Sequence, residues 1–264
     1  MNSMARKIRV DQALVFCGLA DSLEEARTMV MAGQIWLGEQ RVINPSRQVE
    51  RDAELTVEAS DPYVSRGGVK LAAALDVFQI PTAGLICADV GASTGGFTDC
   101  LLQHGAARVY AVDVGYGQLD WRLRQDPRVE LLERTNVRYL RELPEPVDLA
   151  AVDVSFISLR RVIPVIRGWF PARGGTALML IKPQFEATRQ EAARGAGVIR
   201  DPQIHRRVVE EVLHEAQREE FQIRGVMRSP IRGAEGNMEF LAWLDVDPQA
   251  EGAAAQETWI EGLF

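Results

Sequence analysis

Four charged residues of alternating sign, Lys70, Asp153, Lys182 and Glu239, stand where helix and strand ends are expected. Asp153 closes the apolar run Leu149-Ala-Ala-Val, and Lys182 closes Ala177-Leu-Met-Leu-Ile. Ligands of open α/β sheets bind outside the carboxyl ends of the strands, so both side chains reach the edge where chemistry is done. Lysine works there as a hydrogen-bond donor, or as a base when desolvation and a neighbouring cation bring an amine from about 10.4 towards 7–8. Carboxylates beside the amines would orient them while opposing that drop. Pro183 sets the backbone immediately after Lys182.

A second constellation precedes these residues. Asp89-Val-Gly-Ala-Ser-Thr-Gly-Gly-Phe97 follows one apolar strand and opens a helix. Gly91, Gly95 and Gly96 let the backbone take positive φ and pass close to a ligand. The spacing is not the G-x-G-x-x-G of dinucleotide sites, and no lysine-containing phosphate loop is present. Asp89 suits a cationic sulfonium ligand with an amino-acid tail better than a pyrophosphate. Asp113 ends the next strand, where an acid takes ribose hydroxyls. Asn136, after the third strand, is placed as an adenine neighbour. Ser93 and Phe97 complete the candidate set.

The elements that must carry these residues follow from periodicity. Helix 69–78, strand 85–90, helix 97–104 and strands 109–114, 129–132 and 149–154 come first. A helix near 159–169, strand 176–181, helix 203–219 and strands 223–227 and 240–244 complete the series. Such alternation predicts an α/β domain with a mainly parallel, doubly wound sheet over 63–247. Residues 61–68, with Pro62 and Gly67-Gly68, read as a linker. Residues 1–62 form a small α+β unit of two helices, ending near Gly18 and Gly33, followed by short strands. Residues 248–264 read as a frayed tail of little consequence.

Composition sets the class. The chain has 264 residues, 47% hydrophobic and 25% charged, with a net charge of −7. That is ordinary for a globular protein, and no run of 18 apolar residues predicts a membrane span. Three separated cysteines, Cys17, Cys87 and Cys100, predict buried free thiols rather than disulfides or a zinc site. With an opening segment that lacks a secretory h-region, they predict a cytoplasmic protein. His104, His205 and His214 are too scattered for a site and read as solvated helix positions. Trp36 reads as a packing residue more than a base-stacking one.

Two resemblances add to this reading. Arg9-Val-Asp-x-x-Leu14, Gly18-Leu, Ala26-Arg27, Ala32-Gly-Gln-Ile35 and Pro45-Ser-x-x-Val49 resemble the S4-type RNA-binding domain. That implies contacts to RNA phosphates from Arg6, Lys7, Arg9, Arg27, Arg41 and Arg47, with Arg66 just beyond. The acidic balance makes the grouping of these residues on one face decisive. Ser65-Arg-Gly-Gly-Val-Lys-Leu71, the Asp89 loop through Asp99, Asp153-Val-Ser-Phe-Ile-Ser158, Ile181-Lys-Pro-Gln-Phe-Glu186, Gly197-Val-Ile-Arg-Asp201 and Gly236-Asn-Met-Glu-Phe240 resemble the TlyA family. Its members join an S4-type domain to an FtsJ-like, Rossmann-like domain that uses S-adenosylmethionine (SAM). The resemblance implies 2′-O-methylation of cytidine ribose in 16S or 23S rRNA, ribosomal RNA or subunits as partners, and no metal. It maps the catalytic tetrad onto Lys70, Asp153, Lys182 and Glu239. Lys182 is then the base or hydroxyl-orienting group, Lys70 the second cation, and the two acids hold the amines. The competing classes are a non-catalytic ribosome-binding protein, a membrane-active haemolysin and a small-molecule methyltransferase.

Overall fold

The computed structural model describes residues 7–57, 62–247 and 262–264. The chain divides into two units, Met1–Pro62 and Tyr63–Phe264. Arg6 and most of the residues read as a tail lie outside the described residues.

The first unit runs β1 (Lys7–Arg9), α1 (Val10–Phe16), α2 (Leu23–Met31), β2 (Ile35–Leu37), β3 (Gln40–Val42), β4 (Gln48–Glu50) and β5 (Leu55–Val57). Ser22 caps α2 by accepting from Glu25 N at 3.1 Å. Val10, Leu14, Ala26, Val30, Ile35 and Val49 are buried together as its core.

The second unit contains α3 (Arg66–Phe78), β6 (Ile86–Val90), α4 (Gly96–Gln103), β7 (Arg108–Val112), α5 (Trp121–Gln125), β8 (Val129–Leu132) and β9 (Leu149–Val152). It continues with α6 (Ile163–Arg167), β10 (Gly175–Ile181), α7 (Pro183–Glu186), α8 (Arg189–Arg194), α9 (Pro202–Arg218), β11 (Gln222–Arg228) and β12 (Phe240–Val246). Its sheet order is β11-β12-β10-β9-β6-β7-β8, with β12 antiparallel to both neighbours and the other pairings parallel. This is the Rossmann-like arrangement expected from the alternation. The order in which successive strands are added to the sheet reverses between β6 and β9, so the crevice opens at the carboxyl ends of these two parallel strands. In α9, Val208, Val209, Val212, Leu213 and Ala216 face the core at helical spacing.

Three local expectations are corrected. Gly67 and Gly68 do not break structure but lie in the first turn of α3. Close packing accounts for the second of them: a Cβ on Gly68 would strike the Tyr63 ring, and one on Gly96, at the start of α4, would strike Ser65 and Gly68. His205 is buried, with Nε2 at 3.0 Å from the Ile199 carbonyl and its ring edge-on to Phe240. Burial pushes its pKa down. Cys17 is exposed, while burial pushes the Cys87 and Cys100 thiols up to about 12. At the chain end, Leu263 and Phe264 pack against the core, with the Phe264 ring 5.2 Å from Phe240.

Candidate active site

The four charged residues resolve into two ion pairs. Lys70 Nζ donates to Glu239 Oε2 at 2.5 Å, and both side chains are buried. Lys182 Nζ lies 2.6 Å from Asp153 Oδ1, while its well-aligned hydrogen bond goes to Ser155 Oγ at 2.8 Å. Asp153 is extended from β9 and Lys182 from β10, which are adjacent parallel strands. Lys70 comes from the first half of α3, and Glu239 immediately precedes β12.

Two cavities meet at Asp153. A crevice of about 1230 Å³ is lined by Gly91, Asp113, Asn136, Asp153, Phe156 and Lys182, among others. A smaller cavity of about 140 Å³ is lined by Gly67, Lys70, Asp89, Gly91, Phe97 and Asp153, among others. Glu239 lines neither; it sits behind Lys70 and acts through it.

The glycine loop is built to bring backbone to this junction. Gly91 has φ +87, and a Cβ there would collide with the Asp153 carbonyl. Ser93 holds φ 49, a left-handed conformation that costs a non-glycine residue about 1–3 kcal/mol and is typical of functional sites. Asp113 explains how it persists: its carboxylate accepts from Ser93 N at 2.7 Å and Gly115 N at 2.6 Å. Gly95 N-caps α4 and packs against Leu119 and Leu123 rather than facing either cavity. Asn136 Oδ1 caps the turn at Val137, leaving its amide hydrogens for a ligand.

Asp89 is strongly perturbed. Its Oδ2 accepts from Thr98 N at 2.8 Å and Thr98 Oγ1 at 2.6 Å, whereas Oδ1 is buried with no hydrogen-bond partner among the described residues. Burial, with Asp153 and Asp113 adding negative charge nearby, pushes its pKa up to about 7 against the Thr98 hydrogen bonds. A buried carboxylate without a partner is costly unless a cation or donor meets it. The cavity before it therefore fits the positively charged end of SAM.

Sequence reasoning missed the residues that hold this edge together. Glu186 is buried and accepts from Ser158 Oγ and Leu159 N, both at 2.6 Å, tying the loop after β9 to the turn after β10. Asn237, also buried, accepts from Ile199 N and donates to the Gly197 carbonyl, each at 2.9 Å. It thereby joins the Gly197 and Gly236 motifs beside Glu239. Phe156, 91% exposed and with φ 62, stands 5.0 Å from the Phe185 ring at the crevice. All three lie inside motifs visible in the sequence, as do Ser158, Phe185, Gly197 and Ile199; which motif pairs with which is what the sequence does not show.

In the first unit, Arg9 and Arg27 converge on buried Asp11, at 2.7 Å and 3.0 Å. Arg41 lies over Trp36 at 5.0 Å, Arg47 donates to Gln40 at 2.6 Å, and Lys7 is exposed on β1. Arg66, in the second unit, donates to the Arg232 carbonyl at 2.6 Å.

Comparison with known proteins agrees with this architecture. The family described as FtsJ-like methyltransferase matches residues 63–246. The 16S/23S rRNA (cytidine-2′-O)-methyltransferase TlyA of Mycobacterium tuberculosis is 45% identical over 247 residues, covering 91% of each chain. Hemolysin A of Brachyspira hyodysenteriae is 36% identical over 240 residues, covering 89% of this chain and 98% of its own. A solved structure from Streptococcus thermophilus, provisionally labelled a hemolysin, superposes with a TM-score of 0.70 at 42% identity, covering 92% of this chain and 90% of that one. On sequence, fold and site architecture together, the chain belongs to the FtsJ-like methyltransferases of the TlyA group, enzymes that draw their methyl group from SAM.

Proposed function

We propose that this chain methylates the 2′-hydroxyl of a ribose in ribosomal RNA, a cytidine in the 16S or 23S molecule, in the cytoplasm. The observation that carries the reading is the junction at Asp153, which lines the cavity facing Asp89 and also pairs with Lys182 in the open crevice. The M. tuberculosis relative, named for this reaction, supports it. No helix among the described residues is long and apolar enough to cross a membrane.

SAM, when bound, supplies an activated methyl group. Asp89 and the backbone at Gly91 would meet its amino-acid end, Asp113 its ribose and Asn136 its adenine. Lys182 has three N–H donors; Ser155 takes one and Asp153 lies beside the ammonium as its ion partner, which leaves a donor to hold a substrate hydroxyl. Holding that oxygen lets the ammonium stabilise negative charge as the hydroxyl proton passes to solvent water and the oxygen takes the methyl group. Lys70, fixed by Glu239, adds a second cation behind Asp153. Proximity of hydroxyl and donor accounts for most of the acceleration, as such effects reach about 7–11 kcal/mol.

Ribose-methylation mapping of rRNA by mass spectrometry, in cells with and without the protein, tests the function. Loss of one or more cytidine 2′-O-methyl marks is expected; an unchanged map would refute it. Calorimetry tests the cofactor site. Asp113→Ala should weaken SAM binding by about 1–3 kcal/mol, the cost of leaving buried polar groups without a partner. SAM affinity should also fall as pH drops below about 7. The cationic ligand favours ionised Asp89, whose proton must leave first. Asp89→Asn should flatten that dependence.

The first unit supplies RNA affinity in this proposal, through Lys7, Arg9, Arg27, Arg41 and Arg47. A chain beginning at residue 63 should still bind SAM yet lose most affinity for ribosomal subunits. Full turnover on a small substrate together with unchanged rRNA affinity would instead indicate a small-molecule methyltransferase.

A further inference from the structure

The crevice is larger than one cofactor needs. Sites for drug-sized ligands occupy about 300–1,000 Å³, and this one is about 1230 Å³. Its lining carries four cations, Arg138, Arg161, Lys182 and Arg189, against two acids, Asp113 and Asp153. Asp153 is already paired with Lys182. Arg138, Arg161 and Arg189 line this space and are in no ion pair among the described residues, in a chain whose net charge is −7.

That arrangement is selective rather than general. Arg160, next to Arg161 in the turn Leu159–Arg161, is neutralised by Glu186 at 3.5 Å and Glu211 at 3.0 Å. Arg207 is likewise matched by Glu191 and Glu211, both at 2.7 Å. Arg161 and Arg189 are exposed at the crevice and have no such match. Arg138 is steadied without losing its charge: it donates to Asn136 Oδ1 at 3.3 Å and lies over the Tyr139 ring at 5.3 Å. Guanidinium groups bind phosphodiester oxygens through a planar fork, and an arginine already restrained loses less entropy in doing so.

We infer that Arg138, Arg161 and Arg189 form a phosphate-binding rim in the methyltransferase domain, which grips the RNA backbone on either side of the nucleotide presented to Lys182. The inference rests on the RNA reading above and adds a second RNA contact, independent of the first unit. The rim divides the labour: the first unit selects the folded RNA, and the arginines seat the strand at the reacting edge.

Salt dependence is the direct test, because each phosphate contact contributes a defined slope. Binding of the full-length protein to purified ribosomal subunits is measured across KCl concentrations at fixed magnesium. The probes are wild type, R161Q, R189Q, the double variant R161Q/R189Q, and R173Q, whose side chain sits at the opposite end of β10 beside Asp148. Each rim substitution should lower the log Kd against log salt slope by about 0.7–0.9. The double variant should lose roughly twice that, while R173Q matches wild type. SAM affinity, read by calorimetry, should stay near wild type in all of them. An unchanged slope in the double variant overturns the rim, as does a loss of SAM affinity in its place. If wild type itself shows no salt-dependent binding to subunits, the RNA reading fails rather than the rim alone.

Discussion

Replacing Lys182 by alanine is expected to lower single-turnover methyl transfer to ribosomal subunits roughly 10²–10⁴-fold, the scale of removing a group that handles the reacting proton. SAM affinity should stay close to wild type, and thermal stability should fall less than for the Lys70–Glu239 pair, because Asp153 lines both cavities and is reached by water once Lys182 is removed. Lys182→Arg should rescue little. A guanidinium is planar, keeps its proton and cannot fit between Asp153 and Ser155 with the same three-donor geometry. Ser155→Ala separates the two functions of the amine: it removes an orienting bond yet leaves the cation, so a smaller loss is expected. Near-normal transfer by Lys182→Ala, with SAM saturating, would remove this residue from the reaction and move the work to positioning by Asp153.

The second large effect is on stability. Lys70 and Glu239 are buried and meet at 2.5 Å. Breaking a buried pair by removing one partner costs about 3–5 kcal/mol, since the other charge is stranded. Lys70→Met or Glu239→Leu alone should therefore lower Tm by about 6–20 °C, at roughly 2–4 °C per kcal/mol for a domain of this size. The double variant Lys70→Met/Glu239→Leu should recover most of that loss, because replacing both ions with apolar groups is often neutral or stabilising. Methyl transfer should not recover with it. A double variant that regains stability but stays inactive would assign the pair to the chemistry beyond folding. Recovery of both would make it purely structural. A double variant no more stable than the singles would refute the pair as the source of the loss.

Much of this molecule is local in origin, and so could be read in one dimension. Apolar runs of strand length, separated by helical spacing and turn residues, specify a mainly parallel sheet because each run can bury both faces only between helices. A residue that ends such a run lands on the carboxyl edge of the sheet. This is why the sequence places Asp153 and Lys182 at one edge, where they meet at the crevice. The Asp89 loop was legible for the same reason, since its glycines carry a backbone requirement that other residues meet poorly.

Tertiary structure decided what depends on partners distant in sequence. Lys70 and Glu239 are separated by 169 positions, and nothing in either segment marks the other as its counter-ion. Gly67 and Gly68 looked like a break because their spacing is that of a linker, but both lie in the first turn of α3, where the Tyr63 ring leaves no room for a side chain on Gly68. His205 looked solvated on a polar helix, yet its turn faces Ile199 and Phe240. Arg160 and Arg161 are adjacent and chemically identical; one is spent on Glu186 and Glu211, and the other is left at the crevice. Periodicity reports which face of an element is buried. Whether a charge on that face is matched is a property of the neighbouring element, and only the folded chain brings the two together.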